Sequence, residues 1–525
     1  MKNVFKLYLT ALVSIVITAC GGGSSTAPAY TTAAFYASML TSLASKNSSS
    51  DYTVVQGNVY LFENSSCATF VPIFNSCFGN NAAAPYIIPQ PPIEQSYVDP
   101  SWNSLNTPGP NGVSTNIVYR LSDADALVTI VNYPPTGAYF GYLSYVFTRP
   151  ISNYPIANPL QVMSPDPSRY EIFGSVGNTV NNIVVQNQYG PPWNGNVIMF
   201  ITTSNQALAD DITTRMVAKG IDPRSIFVEK LGTNVNTGND RAADDLVTLM
   251  RYAIPKDSSA ADTWHTNIAS NVLVYKVTNP LSTVTRYPAN QYTSRSGNDE
   301  LLLAPALNEL ANLLKTWYAT NSPSLAASIS MADFIRSSID VTGIPTNGLV
   351  GSNCINKGII CAGDSQDTST YAISKNVLLS STSSVFVAGV DHNQTGNSSY
   401  YSISIYNAAI QAGVQSASQS NASAVGFNSG NLTGSAEVVL RELGIYDSAS
   451  TVLKLALPNL YVAVVSKDCT IATQTGHCIS LMGDTLIPAG VAINMYERSY
   501  LRPGDTTAAN NNIMVYPKMI GPGIQ

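Results

Sequence analysis

The chain has 525 residues, with 26 Lys or Arg against 32 Asp or Glu, a net charge of −6, and a charged fraction of only 11%. A typical soluble domain carries about 25% charge, so the polar surface must be built from Ser, Thr, Asn and Tyr, and a mildly acidic surface of that kind excludes nucleic acid as a partner. A hydrophobic fraction of 45% supplies a large core, which excludes intrinsic disorder, and the length predicts roughly two to four domains.

At the amino end, Lys2 and Lys6 precede a mostly apolar run over residues 7–17, followed by Thr18, Ala19 and Cys20. The run is too short to span a bilayer as a helix and has the size of a signal-peptide core. Ile17-Thr18-Ala19-Cys20 resembles the lipobox of bacterial lipoproteins. That resemblance implies removal of residues 1–19 as a signal peptide, diacylation of Cys20 as the new terminus, and a lipid bilayer as partner. No Asp follows the Cys, which resembles the pattern sorted to the outer membrane, facing the periplasm or the cell surface. Residues 20–30, with Gly21-Gly22-Gly23-Ser24-Ser25, read as a flexible tether.

Beyond the tether, the helical spacing of Ala34, Phe35, Met39, Leu40 and Leu43 predicts a short helix within 31–46. Residues 52–62 read as a strand. Pro85, Pro89, Pro91, Pro92, Pro100, Pro108 and Pro110 predict an irregular, extended loop over 84–110. Residues 126–133 and 139–147 read as strands, joined into a β-hairpin by Pro134-Pro135-Thr136-Gly137. Strands at 196–201 and 226–228 flank a helix at 207–219, capped by Ser204 or Asn205 and ended by Gly220, which makes a βαβ unit. Helices are expected over 240–252, over 306–318 behind Pro305, and over 325–339. Strands return at 384–390, 400–406, 460–466 and 491–496. The fold class is therefore α+β: β-rich, sandwich-like parts at 31–195 and 345–525 flank an α/β part at 196–344, with no internal repeat.

Six cysteines besides Cys20 fall into close pairs, and an even count in an exported chain predicts the disulfides Cys67–Cys77, Cys354–Cys361 and Cys469–Cys478. No C-x-x-C spacing occurs, which argues against a thiolate metal site. The segment from Cys77 through Phe78, Gly79, Asn80 and Asn81 reads as the turn chemistry of a disulfide-closed loop.

Two polar loops carry the candidate chemistry. Gly363-Asp364-Ser365 is similar to the first block of the GDS-type esterases, whose serine is the nucleophile; the Asp-x-x-His expected near the chain's end is absent, and an Asx turn through Asp364 and Asp367 fits as well. Asp391-His392-Asn393 directly follows an apolar strand, which suits His392 as base, ligand-orienting donor or metal ligand and Asn393 as donor to a ligand. The alternative is a structural histidine bridging loop carbonyls. Asp364, Asp367 and Asp391 could together form an oxygen-rich Ca²⁺ site, and no other cofactor is evident. Arg149 could bind a ligand carboxylate or pair internally, and His265 and His477 read as surface or disulfide-adjacent residues. The loops at 363–368 and 391–396 are expected side by side, bringing His392 to Asp364 or Asp367. Two functions remain: an envelope lipoprotein that binds a small molecule, glycan or protein partner, and an extracytoplasmic hydrolase built on Asp364, Asp367, Asp391 and His392.

Overall fold

The strands Val197–Thr203 and Leu460–Ser466 have no exposed residue on either face. Strands of this kind need a covering layer on each side, and the chain meets the need twice with one plan. The computed structural model describes residues 32–44, 52–82, 84–93, 100–153, 166, 168–291, 294–336, 355, 365–418, 429–469 and 478–525.

The first half contains α1 (Ala33–Thr41), β1 (Thr53–Gln56), β2 (Asn58–Phe62), α2 (Cys67–Phe74), β3 (Tyr86–Gln90), β4 (Asp125–Asn132), β5 (Gly137–Pro150), β6 (Arg169–Ser175), β7 (Val197–Thr203), α3 (Gln206–Ala218), β8 (Ile226–Lys230), β9 (Asp245–Pro255), α4 (Ser258–Thr266) and β10 (Val272–Thr278). The second contains α5 (Ala304–Asn321), β11 (Ser330–Asp333), β12 (Ile335–Arg336), β13 (Thr368–Ile373), β14 (Ser384–Val390), β15 (Tyr400–Asn407), β16 (Ala412–Ser418), α6 (Ser435–Glu442), α7 (Thr451–Ala456), β17 (Leu460–Ser466), β18 (Cys478–Ser480), β19 (Ile493–Tyr500) and β20 (Lys518–Gly521).

Each half builds an outer sheet, β1-β10-β4-β7-β8 or β11-β20-β14-β17-β18, and an inner sheet whose path includes β2-β3-β9-β5-β6 or β12-β13-β19-β15-β16. Along these paths every pair is antiparallel except β7–β8 and β17–β18, which are parallel. The correspondence reaches individual hydrogen bonds. Just past β4, Tyr133 N donates to Asn196 O at 2.8 Å, and just past β14, Asp391 N donates to Asn459 O at 2.8 Å. Leu231 N to Thr203 O, at 3.0 Å, matches Leu481 N to Ser466 O, at 2.9 Å. The expectation of no internal repeat is thus corrected: the repeat lies in backbone topology, and of the four position pairs that make these bonds only Asn196 with Asn459 and Leu231 with Leu481 hold the same residue.

Helices cover the outer sheets. Leu40 of α1 and Leu208, Ile212 and Met216 of α3 pack on Val128, Ile130, Met199 and Ile201; Leu307, Leu310 and Leu314 of α5, with Val439 of α6 and Leu453 of α7, pack on Phe386, Val462 and Val464. Fully burying each such side chain contributes roughly 1.5–3 kcal/mol. Between the sheets, Tyr142 stacks on Phe200 at 4.1 Å in the first half, and Val387 and Tyr461 meet Tyr401 and Ile403 in the second.

The inner sheets of the two halves meet through Tyr139, Ala253, Ile254, Tyr400 and Tyr500. The Cys67–Cys77 loop docks beside them: Tyr406 OH donates to Asn80 O at 2.6 Å, and Gly413 N donates to Asn80 Oδ1 at 2.6 Å. A Cβ on Gly413 would stand 2.8 Å from Asn80 O, which explains the glycine.

The βαβ unit, α1, α5 and the strands at 384–390, 400–406 and 460–466 match their expectations. Other elements do not. The strands β4 and β5 form no hairpin, because each is buried and needs neighbours on both edges; β4 takes β10 and β7, and β5 takes β9 and β6. Residues 240–252 are not helical: β9 is a fully buried eleven-residue strand, and a two-sided strand shows no alternation to separate it from a buried helix. The span 325–339 holds a 3₁₀ turn and the short strands β11 and β12. Within the proline-rich span, β3 includes Pro89, tolerated because β9 pairs with β3 only at Tyr86 and Ile87. Strands on either side of the expected boundaries at 195/196 and 344/345 pair with one another: β4 pairs with β7 and β10, and β11 pairs with β20.

Candidate functional site

His392 follows β14 and is completely buried, as are Glu300 and Glu497. Its Nδ1 lies 3.0 and 3.1 Å from the two carboxylate oxygens of Glu300. Its Nε2 lies 3.3 Å from Glu497 Oε1, an ionic contact rather than an aligned hydrogen bond. Glu300 also accepts from Thr395 Oγ1 at 2.6 Å, Asn397 Nδ2 at 2.9 Å and Val515 N at 3.1 Å. Burial alone would lower the His392 pKa, but two flanking carboxylates outweigh it and hold the imidazole well above its usual range. Burial likewise opposes ionisation of Glu300, yet the imidazolium and hydrogen bonds carry its carboxyl below the ordinary value. A charged, fully paired histidine inside the protein has no acceptor lone pair to act as a base. The alternative of bridging loop carbonyls is also corrected, because both ring nitrogens face carboxylates.

The expected aspartate partners are engaged elsewhere. Asp367 accepts from Tyr139 OH at 2.6 Å and Thr179 Oγ1 at 3.0 Å, both from the first half, so it fastens the seam between halves. Asp391 accepts from the backbone of Asn393 and Gln394 at 3.1 Å, an Asx turn. Asn393 Nδ2 donates to Ser399 O at 3.3 Å, an internal contact. Ser365 is buried and bonds to Asp367 and Thr368, with no histidine beside it among the described contacts. The two loops do flank one backbone stretch, as Leu501 N donates to Asp367 O and Ser399 N to Leu501 O, but His392 pairs with Glu300 and Glu497 rather than with Asp367. Arg149 is committed to Asp244 at 2.7 Å and to the carbonyls of Asn234 and Ile355. Cys67–Cys77 and Cys469–Cys478 are bonded as expected. Cys20, Cys354, Cys361, Asp364 and His477 lie outside the described residues. Among the described residues no group of three or more His, Cys, Asp or Glu could hold a metal ion.

The equivalent sheet end of the first half is open. Past β4, residues Tyr133 and Pro135 border a surface groove of about 600 Å³. Thr32, Asn132, Asn194, Thr263, Asn267, Ser270 and Asn271 give it amide and hydroxyl groups, the buried rings of Tyr133 and Trp264 lie against it, and no lining residue is charged. Local sequence builds it. Asn194 and Gly195 turn the chain before β7 with positive φ of 65° and 84°, and Asp257 caps α4 by accepting from Ala260 N at 3.0 Å. Trp264 on α4 is locked by donation from Nε1 to Asn132 O at 2.9 Å, and Asn271 Nδ2 donates to Trp264 O at 2.9 Å. Beneath the groove, Tyr252, Trp264 and His265 form a ring cluster with centroids 5.3–5.9 Å apart. The hydroxyls of Tyr133 and Tyr252 are buried without a hydrogen-bond partner. His265 is buried rather than at the surface, and that burial lowers its pKa. The available sequence signal was Trp264-His265 in a capped segment, together with two Pro or Gly turns beside buried strands.

No family model and no curated protein matches the chain. Among solved structures it is similar to the VPA0106 protein from Vibrio parahaemolyticus, at 10% identity over 77% of this chain and 87% of that one, with a TM-score of 0.32. It is also similar to an uncharacterized protein from Burkholderia cenocepacia, at 9% identity over 93% and 88% of the two chains, with a TM-score of 0.34. At these scores the likeness carries no argument about fold or activity.

Proposed function

We propose that this protein is an envelope lipoprotein, anchored through acylated Cys20 in the outer membrane, that binds a neutral polar ligand of the glycan class in the groove beside Trp264. The observation that carries the reading is an uncharged groove lined by four asparagine amides, hydroxyls and two aromatic residues. Saccharide hydroxyls both donate and accept, which amides and hydroxyls answer. A volume of about 600 Å³ fits the usual range for ligand sites. Thr32 at the groove's rim stands twelve positions after Cys20, a reach of at most ~40 Å when extended, so the ligand would be met close to the bilayer. The hydrolase alternative has no comparable support, since His392 is buried and paired on both nitrogens.

Titrating chito- and malto-oligosaccharides by calorimetry tests the groove. Saturable binding is expected, weakened at least tenfold by Asn267→Arg, an exposed substitution that fills the groove. Failure of every neutral saccharide to bind, or equal binding by this variant, would overturn the reading. For the anchor, Cys20→Ala should release the protein from membrane fractions and remove the lipid mass.

A further inference from the structure

A separate chamber lies behind the Cys67–Cys77 disulfide. Its volume is about 60 Å³, and Phe62, Phe70, Phe78, Tyr86, Trp102, Phe147 and Phe173 surround it, above Val247 and Leu249 of β9. We propose that it is a second ligand site, taking a small neutral molecule with one acceptor oxygen, such as a cyclic ketone or lactone. Four observations define that chemistry.

The lining is almost wholly apolar, and its one side-chain amide, Asn80, is saturated: it donates to Asn64 Oδ1 and Gly413 O and accepts from Gly413 N. The Trp102 indole Nε1 is a donor with no partner among the described residues, although Trp102 is only 2% exposed. A buried N–H of that kind is normally paired, and an acceptor oxygen on a ligand in the chamber would pair it. Two of the rings are presented by backbone that phenylalanine rarely adopts, Phe78 at φ 55° and Phe173 at φ 47°; such conformations collect where a ligand is held. Lastly, an aromatic cage can also attract a cation, but here the guanidinium of Arg251 already lies 5.2 Å from the Tyr86 ring centroid, and no carboxylate lines the wall. A second cation would be repelled. The volume sets the size: a water-sized group needs about 10–15 Å³ by this measure, so about four to six heavy atoms fit.

The test uses the full chain labelled with ¹⁵N-tryptophan, whose four Trp give separate indole N–H signals, titrated with cyclopentanone and, in parallel, tetramethylammonium. Cyclopentanone should move one indole signal downfield saturably, the signal missing from Trp102→Phe, and Trp102→Phe should bind about fivefold more weakly by calorimetry, as expected for one lost hydrogen bond. Leu249→Phe, which fills the chamber, should abolish the response, with Val247→Ile as the milder replacement if Leu249→Phe does not fold. No saturable shift, an equal shift in the filled variant, or a response to tetramethylammonium instead would overturn the proposal.

Discussion

The ends of β4 and β14 are one backbone place built twice, with opposite outcomes. After each strand the next residue donates to an asparagine carbonyl, Tyr133 to Asn196 and Asp391 to Asn459, and both places lie near the chain's entry into a helix, α1 or α5. In the first half Ala33 N bonds to Asn132 Oδ1 at 3.2 Å and a groove stays open. In the second, Glu300 reaches in from the segment before α5, meets His392, and closes the place with charge. The difference teaches where this chain's few charges go. Arg120 and Arg169 hold Asp245, Arg149 holds Asp244, and His392 is held by two glutamates, all of them buried. Charge here locks the interior, while the open groove is neutral.

The comparison breaks most severely at the closed end. Removing one member of a buried charge cluster strands the others, so His392→Ala should cost about 3–5 kcal/mol in urea unfolding. Tyr133→Phe, one backbone position earlier in the equivalent loop of the open end, should stay within about 0.5 kcal/mol of wild type, because its hydroxyl has no partner to lose. Equal losses at both ends would show that the two places are not differently built.

Next in size is the seam. Asp367→Ala leaves the buried hydroxyls of Tyr139 and Thr179 without their acceptor, which should cost about 2–3 kcal/mol and lower the melting temperature measured by calorimetry.

The histidines should then give opposite pH signatures. The raised pKa of His392 contributes stability that is fully present below about 6.5 and is lost as pH rises through the folded value. The lowered pKa of His265 does the reverse: its stabilisation is present above about 6.5 and is lost as pH falls below it. Either slope is limited to about 1.4 kcal/mol per pH unit. Urea midpoints between pH 5 and 9 should lose the low-pH decline in His265→Gln and the high-pH decline in His392→Gln; unchanged profiles would count against both assignments.

The smallest effect is expected at the groove's turn. Asn194 has a φ of 65°, so Asn194→Gly should keep stability within about 0.5 kcal/mol while weakening the groove's ligand through loss of an amide. A stable variant with undiminished binding would remove Asn194 from the site.

How much was legible depended on which interactions were local. The caps of α3, the proline opening α5, the apolar runs of β14 and β17, and the short disulfide loops at 67–77 and 469–478 are set by residues within about ten positions of one another, and each stood in the sequence. The hairpin between β4 and β5 and the helix at 240–252 failed because buried strands show no alternation, so neither partner nor element type is written in them. The candidate site divided the same way. Proximity in sequence singled out His392 and suggested aspartates some 25 residues away, whereas its actual partners, Glu300 and Glu497, stand about 90 and 105 residues off, on the strap before α5 and on β19.

By itself, then, the sequence determined composition, the mixed α+β class, the local caps and the short disulfides, since these follow from residue type and near neighbours. Only the tertiary structure decided the repeat of two halves, the locking of His392 and the open groove beside Trp264, because strand partners and buried ion pairs are chosen by long-range packing that leaves no periodic trace in the chain.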